Sequence, residues 1–76
     1  MKLCECPKGS LCTLKSIEVE DKIMRRLEAL GFVRGTSVKV LNRKRYGAVI
    51  IKIRGTRIAL GKAIAGGIDV EEVPDE

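Results

Sequence analysis

Seventy-six residues suffice for one domain with a modest core, because a chain of this length buries only roughly 60–65% of the surface it exposes when unfolded, leaving little room for an enclosed substrate chamber. Apolar residues make up 45% and charged residues 33%, and Phe32 and Tyr46 are the only aromatics, so the core has to be built from Val, Ile and Leu, which favour strands. The formal charge is +5, and the absence of histidine removes the commonest general base near neutral pH.

Residues 1–10 read as a short lead-in ending in the turn Pro7-Lys8-Gly9-Ser10, where Pro fixes φ and Gly accepts a positive one. Residues 11–19 alternate imperfectly, which predicts a strand with a bulge or twist. Residues 20–30 hold the clear helical pattern, with Ile23, Leu27 and Leu30 at i, i+4 and i+7, Met24 widening the stripe, and Asp21 as the expected N-cap. Gly31 suits the left-handed position that ends a helix, and Phe32 falls where an apolar side chain folds back on the last turn. A turn at Arg34-Gly35 leads into a strand over residues 36–41 with Val38 and Val40 inward.

Residues 42–47 form a basic loop, and residues 48–54 a strand with Val49, Ile51 and Ile53 on one face. Gly55-Thr56 is expected to form a type II′ hairpin turn that pairs Arg54 with Arg57, Ile53 with Ile58 and Ile51 with Leu60. One helical turn within residues 60–67 and a short strand holding Ile68, Val70 and Val73 follow, and residues 74–76 are expected to fray. The order strand, helix, three antiparallel strands, helical turn, strand predicts an all-β fold with one short helix, bent into a small barrel whose closure removes sheet edges. One domain is expected over residues 1–76, with its core over about 3–73.

Charge is distributed unevenly. No acidic residue occurs between Glu28 and Asp69, a stretch that carries nine basic ones: Arg34, Lys39, Arg43, Lys44, Arg45, Lys52, Arg54, Arg57 and Lys62. A one-sided positive field suits an anionic partner, for which nucleic acid, an acidic protein face and lipid headgroups all qualify; the alternative is a face kept charged for solubility. The longest apolar run, residues 48–51, is far short of the ~18–20 residues that span a bilayer, and no apolar stretch of a secretory signal follows Lys2. The expected location is the cytoplasm, with no direct membrane insertion.

Catalytic constellations are missing. Without histidine no Ser-His-Asp or Cys-His arrangement can form, and Gly61-Lys62 lacks the upstream Gly and the following hydroxyl of a phosphate loop. No enzymatic activity and no cofactor are expected. The candidate metal ligands are Cys4, Cys6 and Cys12, but structural zinc takes four ligands and no His or fourth Cys is present. Soft thiolates suit zinc or Cu(I) better than labile ferrous iron. The simplest reading of the three thiols is small apolar packing, so that replacing all three by Ser is expected to leave the fold standing at a loss of at most about 1–3 kcal/mol.

The ordered set Leu27-x-x-Leu30-Gly31-Phe32-x-x-Gly35-x-x-Val38-x-Val40, then Gly47, then Val49-x-Ile51-x-Ile53-x-Gly55-x-x-Ile58-Ala59-Leu60, then Ala65-x-x-Ile68-x-Val70 resembles the FeoA family, the small cytosolic component of bacterial ferrous iron transport. The lead-in Gly9, Leu14 and Ile17 also fit, so the resemblance covers about residues 3–73. It departs at Arg34, where the family usually has Pro, and at the three N-terminal cysteines. The resemblance implies an SH3-like barrel and a partner, the FeoB-type transporter, whose cytosolic part is a GTP-hydrolysing G-domain that would recruit the protein to the inner face of the plasma membrane. It transfers no active site, since the matching residues are glycines and core apolars.

The function expected on these grounds is that of a non-catalytic accessory protein of ferrous iron uptake; the alternative is a small basic barrel that binds RNA or another nucleic acid. Bases are usually held by stacking on aromatics, of which only Tyr46 and Phe32 are on offer. The candidate partner-binding residues form two groups: Phe32, Val33 and Arg34 after the helix, and Arg43, Lys44, Arg45 and Tyr46 in the basic loop. Phe32 and Val33 are adjacent, so one of them is expected to stay exposed beside Arg34, an apolar-plus-Arg mixture common at interface centres.

Overall fold

Period-two burial builds the sheet. In the computed structural model, which describes residues 1–73, strands β1 (Leu11–Ile17), β2 (Ser37–Arg43), β3 (Val49–Ile53), β4 (Thr56–Leu60) and β5 (Ile68–Glu72) form one antiparallel sheet in the order β4-β3-β2-β1-β5. Helix α1 (Asp21–Ala29) joins β1 to β2, the single turn α2 (Lys62–Ala65) joins β4 to β5, and a 3-10 helix (Leu3–Glu5) precedes β1. Val38, Val40, Val49, Ile51 and Ile53 alternate inward on β2 and β3 and are fully buried, joined by Cys12 and Leu14 of β1 and by Ile68 and Val70 of β5. Fully burying such an aliphatic side chain is worth about 1.5–3 kcal/mol, which is how a core with one aromatic holds the fold. Bulges interrupt the registers of β1 between Leu14 and Ser16 and of β2 between Val40 and Asn42, bending the sheet around that core.

The end of α1 follows its sequence closely. Phe32 N–H donates to Leu27 C=O at 2.9 Å and Gly31 N–H to Glu28 C=O at 3.0 Å, with Gly31 at φ +101°. This is a Schellman motif, and Leu27 and Phe32, whose contact accompanies it, are both in the core. Gly9 takes φ +89° in the Pro7–Ser10 turn, as expected.

Four expectations are corrected. The N-cap of α1 is Glu20, not Asp21, and no side-chain cap bond forms. Leu30 leaves the stripe and stands 46% exposed, because the helix ends at Ala29 and the chain turns there; Ile23 and Met24 are half-buried. The lead-in supplies Leu3 and Cys6 to the core, within the bounds expected for it. The β3–β4 turn is Arg54-Gly55, with φ +50° and +82°, not Gly55-Thr56. Two positive φ values define a type I′ turn, whose twist matches that of the flanking strands, and the register becomes Ile53 with Thr56, Lys52 with Arg57 and Ile51 with Ile58. Finally, the hydrogen-bonded order ends at β4 and β5, so the barrel keeps two sheet edges among the described residues. Residues 74–76, expected to fray, lie outside the described residues.

Candidate partner-binding site

Beyond the Schellman motif the chain makes a second turn. Thr36 N–H donates to Val33 C=O at 3.1 Å, and Gly35 takes φ +90° while Arg34 keeps a negative φ, which makes Val33–Thr36 a type II turn. The position of Arg34 in it is one that Pro favours, and Arg fits without strain. Gly35 N–H donates to Leu14 C=O at 2.8 Å, which ties the turn to β1. The two turns together fix opposite directions for neighbouring side chains: Phe32 is 1% exposed and Val33 47%.

Val33 and Arg34 form one side of a groove of about 220 Å³ whose other walls are Leu14, Ser16 and Ile17 of β1 and Met24 and Glu28 of α1, with Phe32 contributing to the lining. Small-ligand pockets usually exceed ~300 Å³ and enclose their ligand, so this groove suits a protruding side chain of a partner. Its rim carries one anion, Glu28, and one cation, Arg34. A larger recess of about 420 Å³ lies between the Pro7–Leu11 turn and Glu72-Val73; it is lined largely by turn residues and has fewer apolar side chains to offer.

The basic loop is a hairpin connection. Gly47 N–H donates to Lys44 C=O at 3.0 Å and Lys44 N–H to Ala48 C=O at 2.8 Å, with Gly47 at φ +91°, the pattern of a three-residue loop with a left-handed third position. Arg43 belongs to β2 and not to the loop, and its guanidinium donates to Cys4 C=O at 3.0 Å. Lys44 and Arg45 are exposed, and Tyr46 is 81% exposed. The stem of Lys62 crosses Gly47, so a Cβ there would meet Lys62 Cδ at 2.8 Å. The loop and the groove sit at opposite ends of seven-residue β2, about 20 Å apart at the rise of a strand, so the structure does not bring the two candidate groups together.

The cysteines separate as well. Cys6 and Cys12 are buried with their sulfurs 3.3 Å apart, and the Cys6 thiol also reaches Met1 Sδ at 3.5 Å. Cys4 is half-buried in the 3-10 helix and has no contact with this pair among the described hydrogen bonds. No group of three or more His, Cys, Asp or Glu side chains converges as a donor set among the described residues. Burial, and then the hydrogen bond with Cys12, push the Cys6 thiol from 9.0 up to about 12. A raised thiol pKa stabilises the native state fully below pH 9.0, and that contribution is lost as pH rises through 9–12. The stability advantage of the wild type over Cys6→Ala, measured by urea denaturation, should therefore shrink above pH 9; a constant difference up to pH 11 would refute the coupling.

Five short antiparallel strands bent around an aliphatic core, with one short helix and a groove beside it, define a small β-barrel domain. A family model for the FeoA domain matches residues 1–72, and the chain belongs to the FeoA family, the accessory proteins associated with ferrous iron transport. It is 35% identical over 65 residues, 86% of its length and 78% of the relative's, to a protein of Methanocaldococcus jannaschii provisionally named Fe(2+) transport protein A. The solution structure of FeoA from Chlorobium tepidum superposes with a TM-score of 0.90 at 33% identity, over 100% of this chain and 74% of that one. The crystal structure of Stenotrophomonas maltophilia FeoA complexed with zinc, described as an SH3 domain protein, matches at 30% identity and a TM-score of 0.80, over 93% and 89% of the two chains.

Of the candidate binding group after the helix, Val33 and Arg34 are exposed, whereas Phe32 is corrected: its side chain is drawn into the core by the capping contact and is not free to meet a partner. Sequence reasoning missed Ile17, Met24 and Glu28 as groove walls. Only Met24 left a signal, in the helical stripe, where it widens the apolar face beyond what one buried residue, Leu27, needs.

Proposed function

We propose that this chain is a non-catalytic cytoplasmic accessory protein of ferrous iron uptake that binds the cytosolic part of a FeoB-type transporter through the groove beside Val33. The observation that carries the reading is Val33 itself: a half-exposed aliphatic side chain, held outward by two consecutive turns, beside an apolar groove and an Arg. Buried apolar anchors set the lifetime of a complex, whereas rim charges mostly set its association rate. The basic loop at the far end of β2 supplies the second kind of contribution.

Binding of the purified protein to the isolated cytosolic domain of its transporter, followed by surface plasmon resonance, tests this. Val33→Asp should raise the dissociation rate about tenfold or more while circular dichroism stays unchanged, as expected for loss of an interface anchor. Arg43→Ala, Lys44→Ala and Arg45→Ala together should instead slow association and flatten its salt dependence. No detectable complex with the wild type refutes the proposal. Single-stranded RNA binding of similar strength at physiological salt, lost in the triple variant, would replace it with the nucleic-acid reading.

A further inference from the structure

The sheet has two ends, and they differ. The outer side of β5 is covered: Val70 N–H donates to Met1 C=O at 2.7 Å, Lys2 bridges to Asp69, and the Met1 ammonium pairs with Asp69 at 3.0 Å. No backbone hydrogen bond reaches β4 from outside the sheet among the described residues. Which groups this leaves open follows from the turn. A two-residue type I′ connection closes on Ile53 and Thr56, so Ile51–Ile58 and Val49–Leu60 are the pairs that exchange hydrogen bonds with β3. The N–H and C=O groups of Arg57 and Ala59 therefore point away from the sheet. Both residues are exposed.

Charge marks the same edge. Lys39 of β2 is paired with Lys52 of β3, and Lys52 with Arg57 of β4, which sets three cations in one row across three strands. Directly opposed like charges weaken a sheet. None of the three has an acidic partner among the described residues, whose two ion pairs are Met1–Asp69 and Lys15–Glu71. A single edge cation would suffice to deter edge-to-edge aggregation, but it does not account for Lys39 and Lys52 two strands deep. A fourth strand would continue this row with the residue opposite Arg57.

We propose that the free edge of β4 receives an extended acidic segment of another protein, which pairs with the backbone of Arg57 and Ala59 and places a carboxylate beside the Lys39–Lys52–Arg57 row. A second copy of this chain is disfavoured, since pairing β4 with β4 would bring two such rows together. Nucleic acid is disfavoured because it has no backbone that pairs with a strand edge, and this face holds no aromatic on which bases stack.

The test uses the isotopically labelled full chain and a capped seven-residue peptide of alternating Glu and Val. The peptide should slow hydrogen exchange at the Arg57 and Ala59 amides at least tenfold at saturation, and its Lys–Val counterpart should not. Ala59→Pro removes an outward-facing N–H while keeping the bonds to β3, so it should abolish binding in a folded protein. Arg57→Glu should weaken binding at least tenfold and supplies the same test if the Pro variant fails to fold. Binding that leaves the exchange of Arg57 and Ala59 unchanged overturns the proposal. So does binding that survives both substitutions, tighter occupation of the same residues by a thymidine oligonucleotide, or dimerisation through β4. Each of these readouts lies at β4 and is independent of the Val33 groove.

Discussion

Gly67→Ala is expected to destabilise the protein by about 3 kcal/mol, a large share of what a domain of this size has to lose. A Cβ on Gly67 would stand 2.4 Å from the Glu18 carbonyl oxygen and 2.9 Å from Val19 Cγ1. The Glu18 carbonyl cannot swing aside, because Glu18 N–H donates to the Gly67 carbonyl at 2.7 Å and thereby locks the exit of β1 to the entry of β5. The contact differs in kind from those at Gly31 and Gly47. There the close atoms belong to the flexible stems of Arg54 and Lys62, and the cost of a side chain comes mainly from positive φ. Urea denaturation with an unchanged m-value should show the lowered midpoint. A loss below about 1 kcal/mol would mean that the two segments separate readily and that the closure of β1 on β5 is not rigid.

What could be read from the sequence is what depends on neighbours along the chain. The pattern Leu27, Gly31, Phe32 specifies a helix end by itself, because cap, left-handed residue and folded-back side chain all lie within six positions. Alternation on β2 and β3 likewise assigns faces without tertiary information. The β3–β4 turn was misread because two adjacent choices share the same glycine. Placing Gly55 second in the turn requires Arg54 at φ +50°, which a propensity argument disfavours and which the strand twist makes worthwhile. That shift of two positions hid the pairing of Lys52 with Arg57 and with it the cationic row. The groove was only half legible for a different reason: Ile17, Met24 and Val33 come from β1, α1 and the turn after α1, and they line one groove only in the folded chain, which periodicity does not encode. Burial of Cys6 and Cys12 agrees with apolar packing, whereas their approach to 3.3 Å depends on the 3-10 helix docking against α2 and β5.

Phe32 and Val33 should give opposite results under substitution, and the contrast tests how the site is built. Phe32→Ala is expected to cost about 3–5 kcal/mol, since it removes the one aromatic side chain of the core and leaves a cavity that the surrounding β-branched residues fill poorly. In a domain whose total stability is about 4–11 kcal/mol, much of the protein should then be unfolded near physiological temperature. Any loss of partner binding should follow the unfolded fraction and be recovered on cooling or by a stabilising osmolyte. Val33→Asp exposes a charge where water already reaches, so the unfolding free energy should change by less than about 0.5 kcal/mol while the complex loses its anchor. Were Val33→Asp to unfold the protein as Phe32→Ala does, Val33 would be part of the core and the groove would have no outward-facing wall. Were Phe32→Ala to fold normally and still lose binding, Phe32 itself would be the anchor, and the type II turn after it would present Arg34 alone.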